Sequence, residues 1–424
     1  MVKIIKSCDY AAQDKTRGPA KNEISADVAK IIGDVISRGD AALRELTEKF
    51  DGCLADSFEV PLSTIEAASH EIGPEFAGAM ENAAKNIEAF HRNQIRQGFV
   101  MAPGDGIVMG QRILPIARVG IYIPGGTAAY PSCLLMSCIP AKLAGVGEVF
   151  LATPPARNGS VNHAVLAAAK IAGVDRVFRI GGAQAIAAMA YGTETVPRVD
   201  KIVGAGNAYV TEAKRQVFGA VGIDMLAGPS DILVIADGTA DPALIAADML
   251  SQCEHGADSA AVLVTSSAVL ARKVSKDITE QLKTLPRKTT ARDSIDRHGK
   301  IIITESLREA FDIANELAPE HLEVFLEEPF SYLNMVKNAG SVFLGKHTPE
   351  AAGDYFAGPN NTIPTSGTAR FSSPLSVDDF IKKSSFTYYS QGALQKSGEE
   401  IMIFARKEGL EAHALSIERR LAER

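Results

Sequence analysis

No apolar run in this chain is long enough to cross a bilayer. Even Val161 to Ala172 is short and broken by polar residues, whereas a spanning helix needs about 20 apolar positions. The first residues, Met1-Val2-Lys3-Ile4-Ile5-Lys6, lack the long apolar core of a signal peptide. A cytoplasmic protein with no membrane partner is therefore expected. Cysteine is sparse: Cys8, Cys53, Cys133, Cys138 and Cys253 make an odd, scattered set of five. That excludes a disulfide framework and reads as reduced thiols. Cys133 and Cys138 have a poor spacing for zinc and read as buried thiols that pack as small hydrophobes. Blocks of like charge are missing too. Forty-four basic and 51 acidic residues give a net charge of −7, interspersed along the chain, which argues against nucleic acid as a partner.

What is present is ordinary globular composition, 46% hydrophobic and 22% charged over 424 residues, enough for two or three domains. The first hundred residues read as helices, with apolar faces at Ala26 to Ile32, Asp40 to Phe50, Ile65 to Ile72 and Phe76 to His91. From Arg118 the rhythm changes. Strands at Val119 to Pro124, Glu148 to Ala152, Arg176 to Ile180 and Lys201 to Val203 alternate with helices at Ser132 to Leu143, Val161 to Ile171, Ala183 to Tyr191 and Ala208 to Phe218. A second series begins near Asp231. Its strands are Ile232 to Ile235, Ala261 to Thr265, Lys300 to Thr304, Leu322 to Phe325 and Ser341 to Leu344, and its helices start near Pro242, Ala268, Leu307 and Ser331. Such alternation predicts an α/β protein with mostly parallel sheets covered on both faces. After Asp379 the pattern stops resembling a sheet, and Gly392 to Phe404 and Leu410 to Leu421 read as helices on a tail.

Chemistry concentrates in a few segments. In Ser251-Gln252-Cys253-Glu254-His255-Gly256, a carboxamide and an imidazole stand three residues apart on one helical face. Asp354, in a stretch of small residues that reads as a loop, and the run Glu408 to His413 could complete a metal shell. Glu320-His321 sets an acid beside an imidazole just before a strand. His70, His91, His163, His298 and His347 have no such neighbours and read as structural or solvated. The run Gly340 to His347 nearly spells a phosphate-binding loop, but it lacks the final Ser or Thr and reads as a strand. Three strand-to-helix turns carry glycines: Gly125-Gly126, Gly181-Gly182 and Gly204-Ala205-Gly206. In the last, Tyr209 stands where the dinucleotide fingerprint needs its third glycine, and no acid is found at an obvious ribose position about twenty residues onward. These turns suggest a cofactor crevice of unusual type.

Taken together, the segments resemble the histidinol dehydrogenase family over nearly the whole chain. The likeness runs through Val119 to Gly126, Ile180 to Ile186, Val203 to Tyr209, Leu226 to Asp237, Leu250 to Ser259, Leu317 to Glu323, Gly353 to Ser376 and Glu408 to His413. It implies two incomplete Rossmann-like domains: residues 1–118 with 236–378 as the zinc and catalytic domain, and 119–235 as the NAD-contacting domain. Residues 379–424 would be a helical tail exchanged within a homodimer. It implies Gln252, His255, Asp354 and His413 as zinc ligands, one zinc per subunit, with Glu320 and His321 as the acid/base pair. Ser230 and Glu408 would contact substrate along with the zinc ligands and Glu320, and Tyr122, Gln184 and Asn207 would contact NAD. The implied reaction oxidises L-histidinol, a cationic amino alcohol, to L-histidine through histidinal in two NAD-dependent steps, at sites shared between subunits.

One position departs from the family pattern. The chain reads Gly358-Pro359-Asn360-Asn361-Thr362, with Asn361 where a histidine is expected at the substrate. Asparagine keeps a hydrogen-bonding head but carries no charge. The alternative is a relative that oxidises another primary alcohol, such as a sulfonated diol. Glu408 argues against that, because a carboxylate repels a sulfonate at close range.

Overall fold

Alternating aliphatic and polar runs become two parallel sheets in the computed structural model, which describes residues 2–10, 22–54, 57–104, 106–125 and 129–422. Gly126, half of the first glycine turn, lies outside the described residues. Strand β1 (Lys3–Lys6) is followed by helices α1 (Asn22–Arg38), α2 (Asp40–Asp51), α3 (Leu62–Glu71) and α4 (Pro74–His91), then strands β2 (Phe99–Gly104) and β3 (Ile107–Pro115). The first βα series runs β4 (Arg118–Tyr122), α5 (Pro131–Leu143), β5 (Glu148–Thr153), α6 (His163–Ala172), β6 (Arg176–Arg179), α7 (Gly182–Tyr191), β7 (Lys201–Val203), α8 (Ala208–Val217) and β8 (Gly222–Ile223). The second runs β9 (Asp231–Ala236), α9 (Pro242–Cys253), β10 (Ala260–Thr265), α10 (Ala268–Gln281), α11 (Lys288–His298), β11 (Lys300–Ile303), α12 (Leu307–Leu317), β12 (His321–Phe325), β13 (Ser341–Leu344) and α13 (Glu350–Tyr355). Strand β14 (Ile381–Tyr389) and helices α14 (Gln391–Lys407) and α15 (Glu411–Ala422) close the described chain.

Strands β4 to β8 form a sheet of order β6-β5-β4-β7-β8, every pair parallel. Its two faces are buried by alternation. Along β5, Val149 and Leu151 join one cluster with α4, α5 and α6 residues, while Phe150 and Ala152 join another with α1, α2 and α7 residues. The other parallel sheet has the order β1-β11-β10-β9-β12-β13. In β9, Ile232 and Val234 pack with Ile245 and Met249 of α9, and Leu233 and Ile235 pack with Phe311 and Ala314 of α12. Each sheet grows outward from its first βα-series strand, so each has a point where strand order reverses: β4/β7 and β9/β12.

Both parallel sheets belong to one compact unit, Met1–Gln94 with Ile116–Phe380; Ile95–Pro115 and Ile381–Arg424 form another. In that second unit β14, β3 and β2 make an antiparallel sheet. Helices α14 and α15 pack closely where Gly398 leaves room for Leu421 and Ile417. The expectation that the pattern after Asp379 is no longer sheet-like is corrected by β14. Its residues IKKSSFTYY are almost all exposed, so no buried face imprints an alternation on them. Strands β1, β2, β3 and β8 and the polar helix α11 were likewise invisible to periodicity. The segment at Ser331 is a 3-10 helix, Pro329–Met335. Asp354 lies in α13, not in a loop. Among the described residues no helix is long and apolar enough to cross a membrane.

The turn after β7 is held by a buried ion pair. Gly204 takes φ 109° and passes so close to Tyr122 that a side chain there would meet its carbonyl oxygen at 2.1 Å. Asp224 accepts the Gly204 N–H at 2.7 Å and pairs with Lys214, whose Nζ also donates to the Gly204 carbonyl at 2.7 Å. Both side chains are essentially inaccessible. Asp224 stands twenty residues after Gly204, which corrects the expectation that no acid is found there. It is engaged by backbone and Lys214 rather than offered to a ribose. Replacing one partner of a buried pair strands the other charge, at about 3–5 kcal/mol. Lys214→Met should therefore lower the unfolding free energy, extrapolated from urea titrations followed by far-ultraviolet circular dichroism, by a matching amount. A loss under about 1 kcal/mol would mean the pair is solvated in solution.

Candidate active site

The amino edge of the six-stranded sheet gathers most of the titratable residues singled out above. Parallel register sets His321, first residue of β12, beside Ile232, and brings Asp231 and Glu320 together at the strand starts. The two acids brace each other through the backbone. The Asp231 N–H donates to Glu320 Oε2 at 2.9 Å, and the Glu320 N–H donates to Asp231 Oδ1 at 2.9 Å. His321 Nδ1 lies 3.0 Å from the Asp231 carbonyl oxygen. A carbonyl only accepts, so Nδ1 carries a proton and Nε2 is left as the basic nitrogen. Nε2 is buried, with no hydrogen bond of good geometry, 3.5 Å from Asp354 Oδ1.

Helix α9 runs back from β9 to this same edge, and its last turn supplies Gln252. Oriented by its neighbours, the Gln252 carboxamide accepts from His321 Nδ1 at 3.3 Å and Asp231 N at 3.2 Å, and donates to Glu350 Oε1 at 3.0 Å. One residue past the helix cap, His255 keeps the turn through its N–H to the Gln252 carbonyl. His255, Glu350 and Asp354 each bring a ligand atom within 4.8 Å of the others. Glu350 was missed in the sequence. Its signal was an acid four residues before Asp354, which a helix turns to the same face.

Carboxylates outnumber cations here. Burial pushes Glu320 up to about 8, helped by Asp231 and Asp354 and opposed by His321. Burial also lifts Glu350 to about 7. Burial, with the Asp248 carboxylate beside it, raises Glu323 well above the usual range. Burial would lower His321, but the surrounding Glu320, Asp354 and Glu350 outweigh it and raise the imidazole to about 10. A nitrogen donor with two carboxylates, set in an excess of buried negative charge, fits a divalent cation with a preference for N and O ligands, zinc among them.

Asn361 joins this cluster to α5. Its Nδ2 donates to the Asp354 carbonyl at 3.1 Å and approaches Cys133 Sγ at 3.6 Å, while its buried Oδ1 has no partner. Burial raises the Cys133 thiol to about 11, consistent with a packing role. Ser230 precedes β9 on the same edge as Asp231 and is half-buried. Glu408, the cap of α14, and His413, in α15, belong to the second unit and are exposed there.

A separate cavity of about 1650 Å³ opens at the carboxyl edge of the five-stranded sheet. Tyr122, Gln184 and Asn207 all line it: Tyr122 ends β4, Gln184 stands in the first turn of α7, and Asn207 precedes α8. The Tyr122 hydroxyl accepts the Gly182 N–H at 3.0 Å. Asn207 caps α8 by accepting from the N–H groups of Tyr209 and Val210. Ligands of open parallel sheets collect at such edges.

A family model described as histidinol dehydrogenase matches residues 15–421. The histidinol dehydrogenase of Listeria innocua serovar 6a is 52% identical over 404 residues, covering 95% of this chain and 94% of its own. That of Lactiplantibacillus plantarum is 51% identical over 416 residues, covering 98% and 97%. The crystal structure of histidinol dehydrogenase from Elizabethkingia anophelis superposes with a TM-score of 0.93 at 38% identity, covering 99% of this chain and 98% of that one.

The carboxylate excess makes a prediction about stability. In chelator-treated protein, Glu350→Gln removes one repelling charge and should raise the thermal midpoint by about 2–4 °C. In zinc-loaded protein the same change should lower it. Equal shifts in both preparations would show that Glu350 does not sense a cation.

Proposed function

The chain belongs to the histidinol dehydrogenase family and is an oxidoreductase of that kind, and from that premise we propose that it converts L-histidinol to L-histidine by two successive NAD-dependent oxidations. This would be the last work of histidine biosynthesis, carried out in the cytoplasm. The observation that carries the reading is His321: Nδ1 is anchored as a donor, and Nε2 is free of any good hydrogen bond inside a carboxylate cluster.

A bound cation would offset Glu350 and Asp354, two of the acids that raise His321, and so leave its Nε2 unprotonated. Nε2 then takes the alcohol proton while hydride leaves the carbinol carbon for the nicotinamide ring. The Asp231 carbonyl keeps the imidazole in the tautomer this needs. In the second half, Glu320 removes a proton from water as the oxygen adds to the aldehyde. The hydrate then gives a proton to His321 and its hydride to a second NAD, leaving the carboxylic acid, which ionises to the carboxylate. Zinc, one per subunit, held by His255, Asp354, Gln252 and His413 of the partner subunit, would act as a Lewis acid that grips the substrate's imidazole and amine. Glu350 is set to neutralise it alongside Asp354. Ser230 and Asn361 would contact substrate, and the partner subunit's Glu408 would receive the cationic amine. Tyr122, Gln184 and Asn207 would line the NAD crevice.

Several observations favour a homodimer. The second unit leaves Phe99, Val100, Met101, Ile403 and Phe404 exposed, and exposed apolar surface of this kind marks protein interfaces. It also carries Glu408 and His413, which implies sites shared between subunits. The buried carboxylates favour a cationic substrate over a sulfonated one.

Two NADH should form per L-histidinol consumed. Turnover of a sulfonated diol in place of L-histidinol would overturn the assignment. Glu320→Gln should slow histidinal oxidation by about 100-fold and alcohol oxidation much less. Equal losses in both steps would remove Glu320 from water activation. Inactive His413→Asn and His321→Asn subunits, combined into heterodimers, should regain activity at about half of their sites. Confirmed heterodimers without activity would count against a shared site.

A further inference from the structure

The large cavity holds a carboxylate that the chemistry above leaves unused. Asp51 ends α2, where Gly52 turns the chain away in the left-handed region at φ 66°. Asp51 lines the cavity. Its Oδ2 is buried without a partner, and no donor reaches the carboxylate among the described residues. Burial lifts this acid to about 6. Its Oδ1 lies against the turn that follows β6: a side-chain carbon on Gly181 would stand 3.3 Å from Asp51 Oδ1 and 2.5 Å from Pro154 Cβ. Asp51 therefore overhangs the carboxyl ends of both β5 and β6.

That location has a meaning in dinucleotide folds. The first strand of such a unit gives the glycine turn, and an acid about twenty residues further on takes the ribose 2′-hydroxyl. Here the first strand is β4. The second, β5, runs into Thr153-Pro154-Pro155-Ala156, which offers no acid. Asp224, the acid after the other glycine turn, is closed off by Lys214. The two ends of a bound dinucleotide can also be told apart. Asn361 ties the reactive cluster to Cys133, near the start of α5 and so next to β4. The nicotinamide end belongs there, and the adenosine end extends over β5 and β6, beneath Asp51.

We propose that Asp51 accepts a hydrogen bond from the 2′-hydroxyl of the adenosine ribose and so selects NAD over NADP. The helix that precedes the sheet delivers the acid that β5 lacks. A ribose diol gives the unpartnered carboxylate its missing donor, whereas a 2′-phosphate would bring negative charge against it. The inference rests on the reading that this cavity holds the cofactor. Lys30, Lys49 and Arg157 also line the cavity and offer counter-charge for the diphosphate. Their reach to a 2′-phosphate instead is the rival outcome.

Titrations with NADH, NADPH and NADH lacking the adenosine 2′-hydroxyl separate the possibilities, with steady-state rates for the oxidised forms. Wild-type protein should bind NADH about 10-fold more tightly than the deoxy form and should bind NADPH more weakly still. Asp51→Ala should lose the preference for NADH over the deoxy form and raise KM for NAD without raising KM for L-histidinol. Asp51→Asn should narrow the gap between NAD and NADP. Equal binding of NADH and the deoxy form by the wild type overturns the role of Asp51 whether or not the variants fold. So does an undiminished preference in Asp51→Ala. Gln184→Ala guards the underlying reading. If it and Asp51→Ala both leave NADH binding intact, the cofactor lies elsewhere and both ideas fall. If Gln184→Ala weakens NADH while Asp51→Ala keeps the preference, only Asp51 is removed.

Discussion

The candidate site is organised around an excess of buried carboxylate. Asp231, Asp248, Glu320, Glu323, Glu350 and Asp354 converge near two imidazoles, His255 and His321. Water cannot screen them well, since Glu320, Glu323 and Glu350 are nearly inaccessible. Ionising them all without a cation would cost far more than a fold of ordinary stability can absorb. Three responses are visible in the geometry. Some acids are pushed toward holding protons, as burial raises both Asp248 and Glu323. Others are tied to backbone N–H groups, as Glu320 and Asp231 tie each other and Glu323 receives the N–H of Glu350 at 2.9 Å. The remainder, His255 with Glu350 and Asp354, leave a place suited to a divalent cation.

This arrangement explains why the two working regions sit on opposite kinds of sheet edge. The cavity follows the usual rule and opens at the carboxyl ends of β4 to β7. The carboxylate cluster does not: Glu320, His321 and Asp231 lie at the amino ends of β9 and β12. Backbone N–H groups free at strand starts can hold carboxylates there, and helix α9 returns to the same edge with Gln252 and His255. One sheet thus opens a cavity at its strand ends while the other gathers acids and an imidazole at its strand starts. Asn361 links them by touching both Asp354 and Cys133 of α5.

Much of this was readable in the sequence because burial leaves a period. Both parallel series stood out where strands are covered on two faces, and β7 and β13 matched to the residue. The glycine turns and the Gln252/His255 spacing pointed to the right edges. Strands without a buried face left no period, so β2 and β14 were missed. Glu350 escaped because its chemistry depends on packing against Ser251 and Gln252, ninety-odd residues away in sequence. Asp51 was passed over for a related reason. Nothing local distinguishes the last acid of an amphipathic helix, and its environment is made by Pro154 and Gly181, residues from two distant turns.

Asn361 shows how the surroundings can carry a substitution that sequence alone makes ambiguous. A histidine at this position brings a titratable ring; asparagine brings a fixed amide. Here Nδ2 is committed to the Asp354 carbonyl and Cys133, so the amide cannot turn freely, and Oδ1 is the atom left unpartnered. That atom is a pure acceptor. An acceptor beside a carboxylate-rich pocket suits a substrate bearing N–H donors and positive charge, and it offers nothing to a sulfonate, which also only accepts. The change from ring to amide therefore removes a titration but leaves the polarity of the pocket as its carboxylates set it.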